Sequence, residues 1–551
     1  MNLQSVLHIP MSEYAHGVSE ERVVFRLRVA KGDLASCVLH YGDRACRVNP
    51  VIFTEVTMHV VASDELFDYW EAEFDTLYRR MCYYFELNDG AGTLLYYADF
   101  FHKELTPERS EYYQLPYLHR ADIATVPDWA KDAIIYNIFP DSFATSRRHI
   151  SLTPTEREWK GEITRGRLGG TIKGVTENAD YLKELGINCV YLNPIFAAGE
   201  YHKYDTLDYY HVDPCFGTDD DFAEMVEVLH GAGIRVIIDG VFNHCGWRFF
   251  AFDGVVRNGE NALYKDWFYR LKLPVLRPDN CEIPSYECFA YERLMPKLNT
   301  ANPEVRDYFC KVCRHWLKEY KIDGWRLDVA SDVDDGFWRA FRKAAMEVNP
   351  EALIIGEVWE SAMHWLDGSM FNSSMNYDFR KHCRDFFATS RLDAEGFNTR
   401  VTNMLMRYRK NLTYAQLNLL DSHDVSRFLS LCGGDKERLK LAVLFQMCFV
   451  GVPSVYYGDE QGISGVAEDE YRHHMIWDGD TELCDFYKRA IALRRERAAL
   501  RLGGFKTLLA EGRAFVFKRI YNGESVTVAI GANEWSGRVI WRGDNFIITE
   551  E

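Results

Sequence analysis

The chain has 551 residues, more than one compact domain usually holds, so we expect two or three domains. Hydrophobic residues make up 47% and aromatic residues 14%, which is enough to fill a large core. The formal net charge of −18 argues against a nucleic-acid or anionic-membrane partner and suits a neutral substrate.

The first residues and the cysteines favour a cytoplasmic protein. The opening MNLQSVLHIPMSEYAHG has no basic stretch followed by an apolar stretch and a small-residue cleavage site, so we predict no signal peptide. No run of about 18 apolar residues predicts a membrane helix. The 14 cysteines follow no regular framework, which favours reduced, buried thiols. Cys310 and Cys313 form a lone CxxC without a second pair, so we expect no metal or redox role there.

Residues 1–122 are predicted to form an N-terminal β-sandwich. Phe25, Leu27 and Val29 alternate with arginines, as in a strand with one buried face. Several further short strands separated by polar turns are typical of a sandwich. The further predicted strands are Thr57–Val61, Tyr69–Phe74 and Tyr83–Leu87.

Residues 123–502 alternate between strands and helices, and eight such units predict a (β/α)₈ barrel. The predicted strands are Ala133–Phe139, Asn188–Leu192, Arg235–Asp239, Gly324–Asp328, Leu353–Glu357, Met375–Phe379, Ala415–Leu420 and Ser454–Tyr457. Predicted helices are Val175–Leu185, Asp220–Ala232, Val305–Tyr320 and Gly336–Val348. Residues 244–303 are too long for a simple loop, so we predict an insertion after the third strand.

Residues 503–551 are predicted to form a small C-terminal β-domain. The segments Ala514–Tyr521 and Glu524–Ile530 have strand character and flank Asn522-Gly523, a dipeptide typical of a tight hairpin turn.

Carboxylates follow several of the predicted barrel strands. Asp328 lies in GWRLDVA, Glu357 in IIGEVWE and Asp424 in LLDSHDVSR, while the third strand ends in VIIDGVFNH. One acid after an apolar run is usually a turn or cap residue. Four such motifs, each at the end of a different predicted strand, are hard to explain in that way. Barrel enzymes keep their active sites at these strand ends. A retaining glycosidase needs a carboxylate nucleophile and a carboxylic acid about 5–5.5 Å apart.

These stretches resemble, in order, the conserved regions of the α-amylase family of glycoside hydrolases. The resemblance extends to AIIYNIFPDSF, LGGTIKGV, HKYDTLDYYHVDPCFGT, PSVYYGDEQG and the MPKLN pentapeptide at Met295–Asn299. HKYDT and MPKLN resemble the corresponding stretches in the subgroup of neopullulanases, cyclomaltodextrinases and maltogenic amylases. That subgroup also has an N-terminal β-domain.

The resemblance implies a role for each acid. Asp328 would be the nucleophile, and Glu357 would act first as general acid and then as general base. Asp424 would hold hydroxyl groups of the distorted sugar. Arg326 lies two residues before Asp328 on the same face of the strand, where it can keep that carboxylate ionised.

Other residues are expected to hold the sugar. The resemblance implies that His244 and His423 donate to hydroxyl groups and that Tyr204 stacks on the ring before the cleaved bond. Arg472 would contact substrate. Trp359 is expected to be a stacking platform on the leaving-group side, with core packing as the alternative.

Asp239 and Asn243 are expected to support the architecture of the site. We expect no cofactor and no metal at the loop after the first strand, where many relatives carry calcium. Here that loop is Ala144–His149, which is poor in oxygen ligands and positively charged.

The chain departs from its subgroup near the catalytic acids. Asp332 stands where VANE has glutamate, and Glu360 stands where a histidine usually follows the tryptophan. Because both positions lie beside the implied acceptor site, the preferred linkage and acceptor are left open.

The predicted function is a retaining α-glucan hydrolase that cleaves α-1,4 bonds of cyclodextrins and maltooligosaccharides, with pullulan as a further candidate substrate and transglycosylation as a side reaction. An exo-acting α-glucosidase or isomaltase is the enzymatic alternative, and a non-catalytic glucan-binding barrel is the other. By analogy we expect a homodimer, in which the N-terminal domain covers the partner's active site.

Overall fold

Eight parallel strands close into a barrel, as predicted, in a computed structural model that describes residues 1–277, 283–532 and 534–551. Their spatial order is their order in the chain, and the first strand pairs with the eighth. The barrel strands are Ile135–Ile138, Cys189–Leu192, Arg235–Gly240, Gly324–Leu327, Leu353–Gly356, Ser373–Asn376, Leu417–Leu419 and Val452–Tyr456. Because both faces of these strands are buried, most read as continuous apolar runs.

Helices surround the barrel, and their polar caps explain where they begin. The side chain of Asn302 accepts from the amide of Glu304 at 2.8 Å. Asp334 caps the next helix by accepting from Phe337 N at 3.0 Å. Helices of six or more residues in the described parts are Ile172–Glu177, Ala179–Leu185, Asp219–Gly231, Phe250–Asn258, Pro303–Glu319, Asp335–Val348, Tyr377–Cys383, Ala394–Met406, Lys436–Cys448 and Thr481–Glu496.

The sixth barrel strand differs from the prediction of Met375–Phe379. The strand is Ser373–Asn376, and a helix begins directly after it at Tyr377. The side chain of Asn376 accepts from Phe379 N at 3.1 Å, which is the geometry of a helix N-cap. The aromatic residues that suggested a strand are therefore core-facing residues of a helix.

The predicted helix Val175–Leu185 is two helices, Ile172–Glu177 and Ala179–Leu185. Asn178 separates them, and its side-chain amide donates to Gly174 O at 2.7 Å and to Ser146 O at 3.1 Å. A side chain that binds nearby backbone in this way competes with the regular helix.

The N-terminal part is a sandwich of two antiparallel sheets. Phe25, Leu27 and Val29 are fully buried between the sheets, as their alternation predicts. The predicted strand Thr57–Val61 is wrong. In its place, one strand ends at Thr57 and another begins at His59, in the other sheet. The first sheet contains Ala15–Gly17, Arg22–Ala30, Phe67–Asp75 and His59–Ser63, and the second contains Thr54–Thr57, Ser36–Asp43, Met81–Asn88, Thr93–Tyr97, Phe100–His102 and Tyr113–Leu115.

A buried charge network joins this sandwich to the barrel. Arg26 Nε pairs with Glu71 Oε2 at 2.7 Å, and both side chains are less than a tenth exposed. Lys410, which lies in the barrel region, places its ammonium 3.1 Å from Glu71 Oε1 and also contacts Glu73. Arg26 further donates to Tyr408 O at 3.0 Å. Each charge has an opposite charge within hydrogen-bonding distance, which offsets the cost of burying it.

The last part is a five-stranded antiparallel sheet. Its second and third strands have the predicted bounds, and Asn522 and Gly523 have φ values of 46° and 85°. Both angles are those that a type I′ hairpin turn requires. The five strands are Gly504–Glu511, Ala514–Tyr521, Glu524–Ile530, Arg538–Gly543 and Phe546–Glu550.

The segment after the third barrel strand supplies a wall above the barrel mouth. It contains the helix Phe250–Asn258 and a short hairpin of Cys288–Phe289 with Glu292–Pro296. A β-bridge between His244 and Lys297 and the bond from Leu298 N to Asn243 O at 3.0 Å tie this segment to the end of the third strand. The thirteen cysteines in the described ranges are free thiols, and no helix there is both long and apolar enough to cross a membrane.

Candidate active site

A cavity of about 590 Å³ opens at the carboxyl ends of the barrel strands, and seven of the eleven expected residues line it. These are Tyr204, His244, Asp328, Glu357, Trp359, Asp424 and Arg472. The other four, Asp239, Asn243, Arg326 and His423, are buried just behind the wall. Sequence motifs that are far apart in the chain therefore meet at one place.

Arg326 lies at the centre of the site and has no exposed surface. Its Nη1 contacts Asp239 Oδ1 and Asp328 Oδ1, each at 2.9 Å. Its Nη2 lies 2.8 Å from Glu357 Oε1 and 4.0 Å from Asp424 Oδ2. One guanidinium thus lies between Asp328 and Glu357 and near Asp424, and carboxylates surround its buried positive charge, although Nη2 makes no hydrogen bond of good geometry in the described part of the chain.

The backbone between two of these acids is unusual. Val329 follows Asp328 and has φ 44° and ψ 46°, a left-handed conformation that a β-branched residue rarely adopts. In this conformation its amide donates to Glu357 Oε2 at 2.9 Å. Strained backbone of this kind is typical of functional sites. Here it fixes the Glu357 carboxyl beside Asp328.

The surroundings of the three acids shift their pKa values in different directions. Burial raises the pKa of Asp328 and of Glu357; Arg326 lowers both, and repulsion from neighbouring carboxylates raises both again. Burial also acts on Asp424, but His423 and then Arg326 hold the pKa of Asp424 below its usual range. The pKa values of Asp328 and Glu357 are thus shifted upward and that of Asp424 downward, a separation of the kind that neighbouring carboxyls with different roles show.

One side of the cavity is organised around His423. Its ring stacks on that of Tyr204, with centroids 5.5 Å apart and planes at 10°. The Nε2 atom of His423 lies 3.0 Å from Asp424 Oδ2, and Asn193 Nδ2 lies 2.9 Å from Nδ1. The hydroxyl of Tyr204 donates to Asp239 Oδ2 at 3.1 Å. These contacts fix the rings and Asp424 as one rigid group.

Arg472 closes the same side. Its Nη2 lies 3.5 Å from Asp424 Oδ1, and its Nε donates to His423 O at 2.9 Å. It also donates to Tyr201 OH at 3.1 Å and pairs with Glu468. The residues before Arg472 form a short helix, Glu468–Tyr471, that brings the guanidinium to Asp424.

The opposite side carries Trp359. Its ring stacks on Tyr377 at 4.0 Å with planes at 9°, its Nε1 lies 3.3 Å from Glu357 Oε1, and the residue is 43% exposed. A half-exposed indole held flat at a cavity wall fits a stacking platform better than core packing. The two departures, Asp332 and Glu360, are exposed near this side but do not line the cavity.

Sequence reasoning missed several residues at the site, and three of them show why. Phe289 stacks on His244 with centroids 4.8 Å apart, and nothing in its local sequence signals that contact. Val329 contributes its amide, which no side-chain pattern reveals. Lys297 donates to Asn243 Oδ1, and its only signal is its place in the MPKLN pentapeptide.

The loop after the first barrel strand is held by arginines. Arg147 Nη2 lies 2.5 Å from Asp180 Oδ2, and Arg148 Nη2 lies 3.1 Å from Glu184 Oε2. In residues 1–277, 283–532 and 534–551, no group of three or more His, Cys, Asp or Glu side chains is arranged to hold a metal ion.

Comparisons with known proteins identify the family. Residues 137–482 match the model of the α-amylase catalytic domain, and residues 1–119 match that of the α-amylase N-terminal Ig-like domain. The chain is 41% identical to a cyclomaltodextrinase of Thermoanaerobacter pseudethanolicus over 96% of its length and 92% of that protein. It is also 41% identical to neopullulanase 2 of Thermoactinomyces vulgaris, over 96% of this chain and 91% of the other.

Solved structures give the same result. A cyclomaltodextrinase superposes with a TM-score of 0.91 at 37% identity, covering 100% of this chain and 98% of the other. The type III pullulan hydrolase of Thermococcus kodakarensis superposes with a TM-score of 0.84 at 30% identity, covering 99% and 100%. These relatives do not favour the exo-acting or the non-catalytic alternative. The chain belongs to the α-amylase family and is a glycoside hydrolase.

Proposed function

We propose that this glycoside hydrolase cleaves α-1,4 bonds of cyclodextrins and short maltooligosaccharides with retention of configuration, and that it also acts on pullulan. The observation that carries the proposal is the single guanidinium of Arg326, shared by Asp328 and Glu357 at the wall of a cavity. Relatives named cyclomaltodextrinase and neopullulanase support the choice of substrates.

In the first step the Asp328 carboxylate attacks the anomeric carbon while Glu357 gives its proton to the departing oxygen. The bond to the leaving sugar breaks, and a β-glycosyl ester forms on Asp328. In the second step Glu357 takes a proton from water, the water oxygen attacks the anomeric carbon, and Asp328 is released. Two inversions leave the α-configuration. An acceptor hydroxyl in place of water gives transglycosylation.

The surrounding residues would hold the sugar during both steps. Asp424 stays ionised and accepts from hydroxyl groups, with His423 and Arg472 fixing its position. Tyr204 offers its ring to the sugar before the cleaved bond, and Trp359 offers its ring to the leaving sugar. Arg326 and His423 act from behind the wall, since neither side chain is exposed.

Three further proposals concern the whole protein. We take residues 1–122, 123–502 and 503–551 as its domains, with 244–303 inserted in the barrel. We place it in the cytoplasm, because the thirteen described cysteines are free and a 37% identical relative is an intracellular maltogenic amylase of Bacillus subtilis. We also propose a homodimer whose N-terminal domain narrows the partner's site. Light scattering that finds a monomer would remove this basis for preferring small substrates.

The substrate proposal is tested by a time course of products from β-cyclodextrin, maltotriose, pullulan, soluble starch and isomaltose under matched conditions. We expect fast opening and cleavage of the cyclodextrin, slower attack on starch, and little activity on isomaltose. Activity confined to isomaltose would contradict the proposal and favour the exo-acting alternative.

A further inference from the structure

Lys297 and Asn243 form a chain of hydrogen bonds that ends on the ring of His244. The Lys297 ammonium donates to Asn243 Oδ1, and Asn243 Nδ2 lies 3.2 Å from His244 Nδ1. Asn243 and His244 are each 1% exposed, and His244 Nε2 is buried without a hydrogen-bond partner in the described part of the chain. Because His244 also lines the cavity, the state of its ring bears on what it can offer a sugar.

The direction of each bond follows from the chemistry of the ammonium. A protonated lysine has three donors and no acceptor, so the amide atom that faces it must be the oxygen. The same ammonium donates to Asp332 O at 3.0 Å, a carbonyl that can only accept. The Asn243 amide is therefore oriented by its partners, and its NH₂ group must face His244. A neutral ring that meets this donor must accept at Nδ1.

The backbone holds Lys297 in place for this task. Lys297 and His244 face each other in a bridge, and Leu298 N donates to Asn243 O at 3.0 Å. On its other side, Lys297 N donates to Glu287 O at 2.9 Å. Backbone contacts on both sides of Lys297 therefore fix the position from which its ammonium reaches Asn243.

Burial and the nearby Lys297 charge lower the pKa of His244 to about 3, with the Tyr204 carbonyl opposing the shift. The ring is therefore neutral at working pH, and a neutral imidazole carries its one hydrogen on Nδ1 or on Nε2. Which nitrogen carries it decides whether Nε2, the ring nitrogen without a partner in the described part of the chain, donates or accepts.

We propose that Lys297 is a positioning residue that sets the tautomer of His244: acting through Asn243, it keeps Nδ1 an acceptor and so places the hydrogen on Nε2, ready to donate to a sugar hydroxyl. The kinetic consequence rests on the proposed function, whereas the tautomer itself does not.

Nitrogen NMR on the full-length protein with ¹⁵N-labelled histidine tests the tautomer directly, at about pH 8 where the ring is neutral. The His244 signals are assigned by their loss in His244→Gln. We expect a pyridine-like Nδ1 and a pyrrole-like Nε2 in the wild type. Lys297→Arg should keep this pattern, because a guanidinium also only donates. A protonated Nδ1 in the wild type would overturn the proposal.

Asn243→Asp is the sharpest variant, because it replaces the NH₂ donor with a carboxylate oxygen of nearly the same shape. We expect the hydrogen to move to Nδ1, so that Nε2 becomes an acceptor. Lys297→Met should give a mixture of both tautomers. If Asn243→Asp leaves the wild-type tautomer in place, the chain of hydrogen bonds does not set it. Circular dichroism and the melting temperature identify any variant that fails to fold, and Lys297→Arg remains informative in that case.

Kinetics separate this proposal from the proposed function. With Nε2 unable to donate, we expect kcat on β-cyclodextrin to fall about tenfold or more in Asn243→Asp, with a smaller change in KM, since a buried hydrogen bond to the substrate is lost. Lys297→Arg should recover most of the activity that Lys297→Met loses. If Asn243→Asp reverses the tautomer but leaves turnover unchanged, the hydrogen-bond chain from Lys297 does set the tautomer, but His244 does not donate to the sugar in the reaction.

Discussion

The junction between the sandwich and the barrel gives a quantitative prediction, because it depends on one buried carboxylate. Burial acts to raise the pKa of Glu71, but Arg26 and Lys410 lower it from 4.5 to about 2. A shift of this size corresponds to about 3 kcal/mol of stabilisation at neutral pH. Removing one partner of a buried ion pair typically costs about 3–5 kcal/mol, which agrees. We therefore expect Glu71→Gln to weaken the junction by about 3 kcal/mol at pH 7.

The sign of the pH dependence follows from the lowered pKa. The stabilising contribution of Glu71 is fully present above the unfolded pKa of 4.5 and is lost as pH falls towards about 2. The difference between wild type and Glu71→Gln should therefore be constant near neutrality and shrink to about 1 kcal/mol at pH 3.

Native-state hydrogen exchange with mass spectrometry measures this locally, which suits a multidomain chain whose global unfolding is not a single transition. Amides of the strand Arg22–Ala30 should exchange about a hundredfold faster in Glu71→Gln than in wild type at pH 7. Glu73→Gln is the matched control, because Glu73 also contacts Lys410 but is partly exposed, so we expect a change below about 1 kcal/mol. Equal effects of the two variants, or a difference independent of pH, would refute this reasoning.

Three further predictions concern the site. Glu357→Gln should lower kcat on maltooligosaccharides by about 10²–10⁴-fold. Because the pKa of Glu357 is raised, wild-type turnover should fall only as pH rises through that raised value. With an α-maltosyl fluoride, whose leaving group needs no proton, this fall at alkaline pH should disappear; if the fall persists, another group causes it. Trp359→Ala should raise KM for cyclodextrin by about tenfold with an unchanged melting temperature, since the indole is 43% exposed; a large stability loss would indicate core packing instead. EDTA should leave the melting temperature unchanged, because the ion pairs of Arg147 and Arg148 hold the loop after the first strand, where many relatives carry calcium. A clear drop in melting temperature that calcium reverses would reveal a structural metal.

The barrel and the meeting of the three acids at one face of it could be predicted because their signals are local. Asp328 and Glu357 each follow an apolar strand, and strand ends in a parallel barrel converge at one face. The sixth strand was misplaced because Tyr377 and Phe379 are equally apolar in a strand and in the helix that Asn376 caps. The local signal that favours the helix is Asn376 itself, a residue type preferred at helix N-caps, and it was outweighed by the apolar run.

Contacts between distant segments could not be predicted. Arg26 looks like the polar face of a strand, but Glu71 and Lys410 bury it at an interface that only the assembled fold creates. Phe289 reaches His244 from a hairpin in the irregular segment after the third strand, where hydrophobic periodicity gives no guidance. Such contacts depend on how loops lie against each other and not on local preference.

The central claim is that Asp328 forms a covalent bond with the sugar. A 5-fluoro-α-glucosyl fluoride, which slows both steps but carries a good leaving group, should trap the glycosyl ester, and mass spectrometry of peptides locates it. We predict that the wild-type protein carries one fluoroglucosyl label, on Asp328, and that the Asp328→Asn variant carries none. A label on Glu357 or Asp424 would contradict the account, as would no label together with a first product of inverted configuration.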